Sequence, residues 1–333
     1  MPRISVIVAT YNRQERLSRC LDALLAQTFR DFEVIVVDDG SDPPVQSSIA
    51  TTHAASPTIN VLRTPTNGGP ARARNLGVAQ AKGEFIAFID DDVVADPRLL
   101  ERHLSYSAAS EDRVVQFGPL AAPVDWSPTP WNLWEAHTLD VEYRRMLRGT
   151  YAPTWRQFFT GNAFLRKADF LSAGGFNEHF TRAEDIELGY RLGKAGCRFA
   201  FIADAIGWHY SSRSLQSWLA TPRDYARFDV EIDRLHPEMR WLEHVEWQQT
   251  RRSILTRIFG RMVTGSSLET AGVQLAVGTA RFTHSIGLKR ATLPILSLAY
   301  AVEYSRSLHA ATRTPVPSHD ARQSERSETS NPG

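Results

Sequence analysis

Residues 1–120 alternate two hydrophobic periods, and this alternation restricts the possible fold more than any other feature of the sequence. Short apolar runs rich in β-branched residues have the composition of strands that are buried on both faces. These runs cover residues 4–10, 32–37, 59–62 and 84–89. Apolar residues at helical spacing, such as Leu17, Leu21 and Leu24, lie between them. Strand and helix in alternation predict an α/β fold, a mostly parallel, doubly wound sheet flanked by helices.

Aspartates follow two of these predicted strands. Asp38 and Asp39 come after the second run, and Asp90, Asp91 and Asp92 come directly after the fourth. Ligands of doubly wound sheets bind beyond the carboxyl ends of the strands. Clustered carboxylates repel one another, so a hard divalent cation would stabilise them. Alternation along extended chain would place Asp90 and Asp92 on one side and Asp91 on the other. A solvated acidic turn is the alternative interpretation.

Glycines and arginines precede the predicted third helix. Gly68 and Gly69 lead into Pro70, which can open a helix, and Arg72 and Arg74 lie in its first turns. Helix-start N–H groups and guanidinium groups both suit phosphate oxygens. A simple turn and a solvated arginine face remain the alternatives. The sequence lacks GxxxxGK[ST], which disfavours a P-loop kinase or ATPase.

Two later positions also carry candidate chemistry. Glu184 and Asp185 begin a predicted helix, where acids are favoured by the helix dipole or can act as a general base. His209 follows a further predicted strand, and its alternative is an ordinary core or surface histidine.

Composition bounds the class of protein. The chain has 333 residues, 42% hydrophobic and 23% charged, which excludes bulk disorder and fibrous folds. Two cysteines cannot form a disulfide framework. We expect a catalytic domain at 1–212, with halves at 1–118 and 119–212, then a helical extension at 213–310 and a disordered tail at 311–333. Tryptophans and prolines between 119 and 155 predict an irregular functional loop or lid.

The extension is basic between residues 251 and 313. One predicted helical face there is apolar, with its arginines off that face: Ile254, Leu255, Ile258, Phe259, Met262 and Val263. This pattern indicates contact with an anionic membrane surface, or packing on the catalytic domain, or a dimer. No segment has the length of a membrane span or an export signal, so we expect a cytoplasmic protein, at the inner face of the membrane if it binds there. A net charge of +1 predicts no nucleic-acid partner.

Six motifs in order resemble the family 2 glycosyltransferases of the GT-A fold. They are VIVATYN at 6–12, VVDDGS at 36–41, NGG at 67–69 with ARNLG at 73–77, GEFIAFIDDD at 83–92, GGF at 174–176 and EDIEL at 184–188. The resemblance covers about residues 3–210. It implies inverting transfer from a nucleotide-sugar donor, UDP-sugars being favoured, to a glycan or lipid-linked acceptor. Such an enzyme would serve polysaccharide, glycolipid or glycoconjugate biosynthesis of the cell envelope.

The resemblance also implies roles for single residues. Thr10, Tyr11 and Asn12 would line the nucleotide pocket. Asp39, with Asp38, would accept from the base, such as the N3–H of uracil. The other implied donor contacts are Gly69, Arg74, Asp90 and Asp91. The third aspartate of the run departs from the family's DxD pattern, which leaves the specific role of Asp91 open.

The implied metal ligands for Mn²⁺ or Mg²⁺ are Asp90, Asp92 and His209. Asp185 corresponds to the catalytic base, and Glu184 would shape the pocket beside it. Trp155, Gly161 and Asn162 are assigned to substrate binding. The aromatic faces of the Trp-rich segment suit sugar rings or a lipid-linked acceptor, and lid or core packing is the alternative for its tryptophans.

Two other functions remain open at this point. A sugar-phosphate nucleotidyltransferase would carry a glycine-rich basic loop after the first strand, where this chain has Thr10-Tyr11-Asn12-Arg13. A catalytically inactive nucleotide-sugar-binding protein would not need Asp90, Asp92, Asp185 and His209 together.

Overall fold

The computed structural model describes residues 1–52, 59–109, 112–250 and 269–313. The chain divides into two compact units, Met1–Ser214 and Leu215–Gly333. The apolar face predicted at 254–263 lies outside the described residues, as does most of the predicted tail. Residues 311–313 are helical, so that part of the tail prediction is wrong.

The first unit contains all the described strands. They are β1 (Ile4–Thr10), β2 (Phe32–Asp38), β3 (Ile59–Arg63), β4 (Phe85–Ile89), β5 (Val93–Ala95), β6 (Val114–Phe117), β7 (Leu120–Ala121), β8 (Asn162–Arg166), β9 (Arg198–Phe201) and β10 (Gly207–His209). A seven-stranded sheet has the order β3-β2-β1-β4-β8-β6-β9. Only β8 runs antiparallel to its neighbours β4 and β6. The predicted mostly parallel sheet is confirmed.

Helices of the first unit cover both faces of this sheet. They are α1 (Gln14–Leu25), α2 (Val45–Thr52), α3 (Pro70–Gln80), α4 (Leu99–Ala108), α5 (Pro130–Leu147), α6 (Lys167–Ser172) and α7 (Glu184–Lys194). Alternate residues of β1 enter different cores: Val6 packs with Leu21 of α1, and Ile7 packs with Leu188 of α7. Because successive side chains of a strand point to opposite faces, β1 is mostly apolar, and its buried Ser5 donates a hydrogen bond to Glu33 at 2.7 Å.

A second sheet of three strands has the order β5-β10-β7. Val93 of β5, which follows the aspartate run, is the register partner of His209 in β10. This pairing brings His209 to the carboxyl end of β4 across more than a hundred positions of sequence.

The segment predicted as an irregular lid is largely helical, which corrects that prediction. The Thr129 side chain caps α5 by accepting from the N–H of Asn132, and Pro130 occupies the first turn. Proline starts a helix there instead of breaking one, because the first-turn N–H has no intrahelical partner. The helix is anchored by Trp131, which is buried and donates from Nε1 to the carbonyl of Arg213 at 2.7 Å.

The second unit consists of α8 (Leu215–Leu235), α9 (Trp241–Thr250), α10 (Glu269–Ser285) and α11 (Lys289–Arg313) among its described residues. Its buried polar residue Asp229 on α8 accepts from Trp241 Nε1 at 2.7 Å and from the Tyr304 hydroxyl, and so joins three helices. Nowhere in the described residues is a helix long and apolar enough to cross a membrane.

Asn162 connects the two sheets of the first unit. Its side chain is fully buried, donates to the carbonyls of Ala205 at 2.8 Å and Pro119 at 3.3 Å, and lies 3.1 Å from His103 Nε2. Burial lowers the pKa of His103, which keeps its ring neutral in this network. The Pro119 carbonyl also accepts from the N–H of Gly207, whereas the Ala205 carbonyl and His103 Nε2 rely on the Asn162 amide.

We therefore expect Asn162→Ala to lower the free energy of unfolding by about 2–3 kcal/mol, because it leaves buried polar groups without partners. Urea denaturation followed by circular dichroism measures this. The matched control is Asn60→Ala, at an exposed position of β3, with an expected effect under about 0.5 kcal/mol. Equal losses in the two variants would contradict the structural role given to Asn162.

Candidate active site

The candidate site is built at the carboxyl ends of β1, β2 and β4. Thr10, at the end of β1, is buried and donates to Asp91 Oδ2 at 2.7 Å. Asn12 has a positive φ of 54° and ties this loop to the next one, since its N–H donates to Ser41 Oγ at 2.9 Å. The ring of Tyr11 between them is 45% exposed. Of the three predicted nucleotide contacts, Tyr11 and Asn12 are exposed and Thr10 has a partner inside the protein.

Asp38, at the end of β2, organises the loop that follows. Its carboxylate is buried and accepts from the N–H of Ser41 at 2.8 Å and from Arg63 Nη1 at 2.5 Å. Burial alone would raise the pKa of Asp38, but the hydrogen bonds from Ser41 and Arg63 outweigh it and hold the pKa below its ordinary value. The structure thus gives Asp38 three protein partners in this loop, since the N–H of Val45 also donates to it.

Asp39 connects the same loop to the start of α3. It accepts from the N–H of Gly68 at 3.0 Å, from the N–H of Gly69 at 2.8 Å and from Thr64 Oγ1 at 2.9 Å. Gly69 has a φ of 88°, which a residue with a side chain rarely adopts. The N–H groups that the sequence assigns to a phosphate are held by Asp39 in this structure, so their position is fixed by a carboxylate of the neighbouring strand.

Residues 90–93 form a turn, and this corrects the prediction of alternating aspartate side chains. The N–H of Val93 donates to the carbonyl of Asp90 at 3.1 Å. Asp90 pairs with Arg74, whereas Asp91 and Asp92 both lie near Arg13. Alternation applies to extended chain only, and the strand ends at residue 89.

Asp91, whose role the sequence left open, is a buried partner of β1 residues. It accepts from Thr10 and from Arg13 Nη1, the latter at 3.0 Å. Burial raises the pKa of Asp91 to about 6 against the opposing charge of Arg13. Its side chain joins the ends of β1 and β4 and has little surface for a substrate.

Asp92 faces a different set of partners. Its Oδ1 lies 3.3 Å from His209 Nε2, and its Oδ2 lies 3.6 Å from Arg13 and 3.8 Å from Arg16. Burial would raise the pKa of Asp92, but the hydrogen bond and charge of His209 hold it well below its ordinary value. Burial likewise lowers the pKa of His209, and Asp92 outweighs that effect and raises it.

This pair fits a divalent ion by donor chemistry. A carboxylate oxygen and an imidazole nitrogen at this separation are ligands that Mn²⁺ accepts. Asp90, the third predicted ligand, pairs with Arg74 instead. In the described parts of the chain, no three His, Cys, Asp or Glu side chains are grouped to hold a metal. Asp92 and His209 lie side by side, and the three-ligand metal site stays a prediction.

Arg74 lies at the centre of the site. Its buried guanidinium donates from Nη2 to Asp90 Oδ1 at 2.8 Å and from Nη1 to Glu184 Oε1 at 2.7 Å, and it lies 5.7 Å from the ring centroid of Phe176. Burial would lower the pKa of Arg74, but the two carboxylates outweigh it and raise the pKa. One side chain of α3 therefore joins the end of β4 to the start of α7.

Asp185 follows Glu184 in the first turn of α7. Ala183, the residue before this helix, has a φ of 61°, a left-handed conformation that is strained for a residue with a Cβ. Burial, with the charge of Glu184, raises the pKa of Asp185 to about 7. A carboxyl group with such a pKa can exchange a proton near neutral pH.

The other three predicted substrate contacts lie in three different surroundings. Gly161 is beside Asp90, since a Cβ added there would meet Asp90 Oδ2 at 2.9 Å. Trp155 packs on α7 against Tyr190 and under Arg156, whose guanidinium carbon is 4.2 Å from its ring centroid. The Asn162 side chain is fully buried, and its hydrogen bonds lie within the protein.

Sequence reasoning missed four charged residues of the site. Arg13 and Arg16 neutralise the aspartate run, Arg63 holds Asp38, and Glu135 on α5 lies 3.2 Å from Arg213. Burial raises the pKa of Glu135. Arg13 had a signal, because it directly follows the motif at the end of β1. Glu135 had none, because its segment was not predicted to be helical.

The chain is similar in sequence to known glycosyltransferases. A sequence model described as glycosyl transferase family 2 matches residues 5–171. The chain is 32% identical over 222 residues to validoxylamine A glucosyltransferase of Streptomyces hygroscopicus subsp. jinggangensis, covering 58% of this chain and 51% of that protein. It is 29% identical over 239 residues to pre-mycofactocin glycosyltransferase of Mycobacterium tuberculosis, covering 71% and 48%. The chain thus spans about half the length of these curated relatives.

Solved structures resemble the fold. Mannosyltransferase PcManGT of Pyrobaculum calidifontis, in complex with GDP-Man and Mn²⁺, has a TM-score of 0.60 at 19% identity, covering 92% of this chain and 87% of that one. S. aureus TarS in complex with UDP-GlcNAc has a TM-score of 0.56 at 20% identity, covering 97% and 92%.

At such identities the likeness shows the fold alone, which is of the GT-A type. The motifs at the carboxyl ends of the strands lie within or close to the span matched by the family model. This chain belongs to glycosyl transferase family 2.

Proposed function

We propose that this chain transfers a sugar from a nucleotide-diphosphate donor, with UDP-sugars favoured, to an acceptor hydroxyl with inversion at the anomeric carbon. The observation that carries the proposal is the Arg74 bridge, which brings the acidic turn after β4 and the start of α7 into one site. Neighbours in complex with UDP-GlcNAc and with GDP-Man support a nucleotide-sugar donor. We assign the donor to residues 1–118 and the acceptor to residues 119–212.

The donor half would supply the positive charge of Arg74 and the aromatic ring of Tyr11. Tyr11, exposed at the end of β1, would contact the nucleotide base, and Asp39 fixes the glycine loop beside it. Arg74 would exchange part of its pairing with Asp90 and Glu184 for the diphosphate, whose oxygens match a guanidinium group. A preorganised cation at the leaving group stabilises the charge that develops in the transition state. A divalent ion held by Asp92 and His209 would add to this neutralisation.

The acceptor side supplies the base. Asp185 would take the proton of the acceptor hydroxyl while its oxygen attacks the anomeric carbon opposite the diphosphate. A single displacement needs no enzyme nucleophile, and inversion follows from attack on the opposite face. Glu184, held by Arg74, keeps a negative charge beside Asp185 and so keeps it a stronger base.

Product analysis tests this function. The chain is incubated with UDP-, GDP- and dTDP-sugars, Mn²⁺ and candidate acceptors. Release of the nucleoside diphosphate together with a glycosylated acceptor is the expected result. Pyrophosphate release would indicate a nucleotidyltransferase, and donor binding without turnover would indicate an inactive binding protein; both outcomes would refute the proposal.

Replacing the base should separate binding from turnover. Asp185→Asn should lower kcat by roughly 10²–10⁴-fold and leave donor affinity nearly unchanged, because the amide cannot accept the proton. Steady-state kinetics and calorimetric donor titration measure the two quantities. Asp140→Asn, at an exposed carboxylate on α5, is the control and should change neither. Normal turnover in Asp185→Asn would refute the base assignment.

The raised pKa of Asp185 predicts an acid limb in the pH profile. Turnover should fall as the pH drops below about 7, because Asp185 becomes protonated there and cannot accept a proton. Glu184→Gln removes the neighbouring negative charge, so the pKa of Asp185 should decrease and the limb should move to lower pH. The quantity measured is the pH at which turnover of the variant falls to half its maximum, and it does not depend on the size of kcat. A limb that stays in place or moves to higher pH would contradict the coupling.

Asp92→Asn tests the proposed metal ligand. It should weaken Mn²⁺ binding in the presence of UDP by at least about tenfold, because a neutral amide replaces a charged ligand. Calorimetric titration of Mn²⁺ measures the affinity without requiring turnover. The control is Asp204→Asn, a carboxylate that is 70% exposed. Unchanged Mn²⁺ affinity in Asp92→Asn would exclude Asp92 as a ligand.

A further inference from the structure

The second unit exposes a group of large apolar side chains at one end of a helical hairpin. Helices α10 and α11 pack against each other and are joined by a short turn at residues 286–288. The hairpin-tip patch is defined by its exposed residues Leu275 (73%), Phe282 (64%), Ile286 (52%) and Leu288 (54%). Phe282 lies seven positions after Leu275, two helical turns along one face. Single exposed apolar residues are ordinary, but three at the hairpin end, with Leu275 two turns away on the same face as Phe282, indicate an interaction surface.

The exposed patch residues of α10 lie on the face opposite to the one that the helix buries. The opposite face of this helix is buried through Val273, Val277 and Ala280, and α11 buries Leu296. The hairpin has therefore already packed an apolar face of its own. The residues of the hairpin-tip patch are additional to that face, and their exposure does not come from a missing hairpin partner.

The turn that presents the patch is held by hydrogen bonds. The N–H of Leu288 donates to the carbonyl of Thr283 at 2.8 Å, and the N–H of Ile286 donates to that of Phe282 at 3.2 Å. Gly287 has the left-handed φ of 78° that such a helix end requires. A hydroxyl contact of 2.9 Å between Thr283 and Thr292 joins the two helices. These bonds keep Ile286 and Leu288 in their exposed positions.

Basic side chains lie next to the patch residues in the sequence, and no acidic residue lies between them. Arg281, Lys289 and Arg290 are exposed and lie next to Phe282 and Leu288 in the chain. Residues 270–302 contain no Asp or Glu. Apolar side chains next to lysine and arginine, with no acidic residue in the segment, match an anionic lipid surface, which accepts both groups at once.

A second copy of the chain fits this patch less well. A two-fold dimer through the same surface would bring these three cations toward their own copies. Like charges at an interface oppose association. A purely polar polyanion would leave the four apolar side chains in water.

We infer that the hairpin-tip patch docks this chain on an anionic membrane leaflet, with Phe282, Ile286 and Leu288 entering the interface and Arg281, Lys289 and Arg290 at the headgroups. The contact is peripheral, because the patch is a helix end. Docking would hold the chain beside acceptors that are themselves in the membrane.

Vesicle sedimentation of the full chain tests this inference. Vesicles of phosphatidylcholine mixed with phosphatidylglycerol should bind the chain at low salt and release it at high salt, and phosphatidylcholine alone should bind it weakly. Arg281→Gln with Lys289→Gln and Arg290→Gln should lower the partition coefficient by about 100-fold at low salt. Phe282→Ser with Ile286→Ser and Leu288→Ser should lower it by at least about tenfold.

Matched controls lie in the first unit. Arg144→Gln, Arg145→Gln and Arg148→Gln remove three arginines from α5, where Asp140 and Glu142 pair with two of them. Leu171→Ser removes a leucine that is 55% exposed. Both controls should bind vesicles like the unchanged chain, and circular dichroism should show all variants folded.

Three outcomes would overturn the inference. They are no binding to anionic vesicles at low salt, equal losses in the tip variants and the controls, and a dimer in analytical ultracentrifugation that the Phe282→Ser, Ile286→Ser and Leu288→Ser variant dissociates. Because binding is measured without donor or acceptor, each outcome leaves the proposed transferase activity unaffected.

Discussion

The buried ion-pair bridge of Arg74 is the interaction on which the site depends. The guanidinium lies on α3 and pairs with Asp90 after β4 and with Glu184 at the start of α7, which is 110 positions away in sequence. The Arg74–Glu184 pair is the buried one of the two, and removing one partner of such a pair leaves an uncompensated charge, at a cost of about 3–5 kcal/mol. The arginine stays protonated under all ordinary conditions, so it offers a full positive charge to both carboxylates. Strand ends and helix start are thereby fixed as one arrangement.

Positive side chains of the protein already neutralise the aspartate run. Arg13 and Arg16 lie near Asp92, and Arg13 also pairs with the buried Asp91. The sequence argument that clustered aspartates need a cation is therefore correct in its physics, but part of the cation requirement is met by arginines. A divalent ion at Asp92 and His209 would share the carboxylate with these groups. In the proposed reaction, the diphosphate of the donor would take over part of these charge pairings.

Buried polar side chains form hydrogen bonds between distant segments in both units. Polar networks fix the geometry of the first unit, where Asn162 connects the sheets and Asp39 holds the glycine loop. In the second unit, Asp229 joins three helices through Trp241 and Tyr304, and the hairpin-tip patch is presented by a hydrogen-bonded turn. In each unit, hydrogen bonds of buried polar side chains join segments that are far apart in sequence.

Sequence alone determined the strands of the parallel half of the sheet, since a strand covered on both faces must be a short continuous apolar run. It also identified the motifs, and with them the family, and it placed Asp90, Asp92 and Asp185 at element ends. It failed at α5, where Pro130 and the tryptophans were interpreted as a loop, and it did not indicate that the Asn162 side chain is fully buried. Only the tertiary structure decided which carboxylate meets which cation, because a turn at residues 90–93 redirects the side chains and the partners come from distant segments.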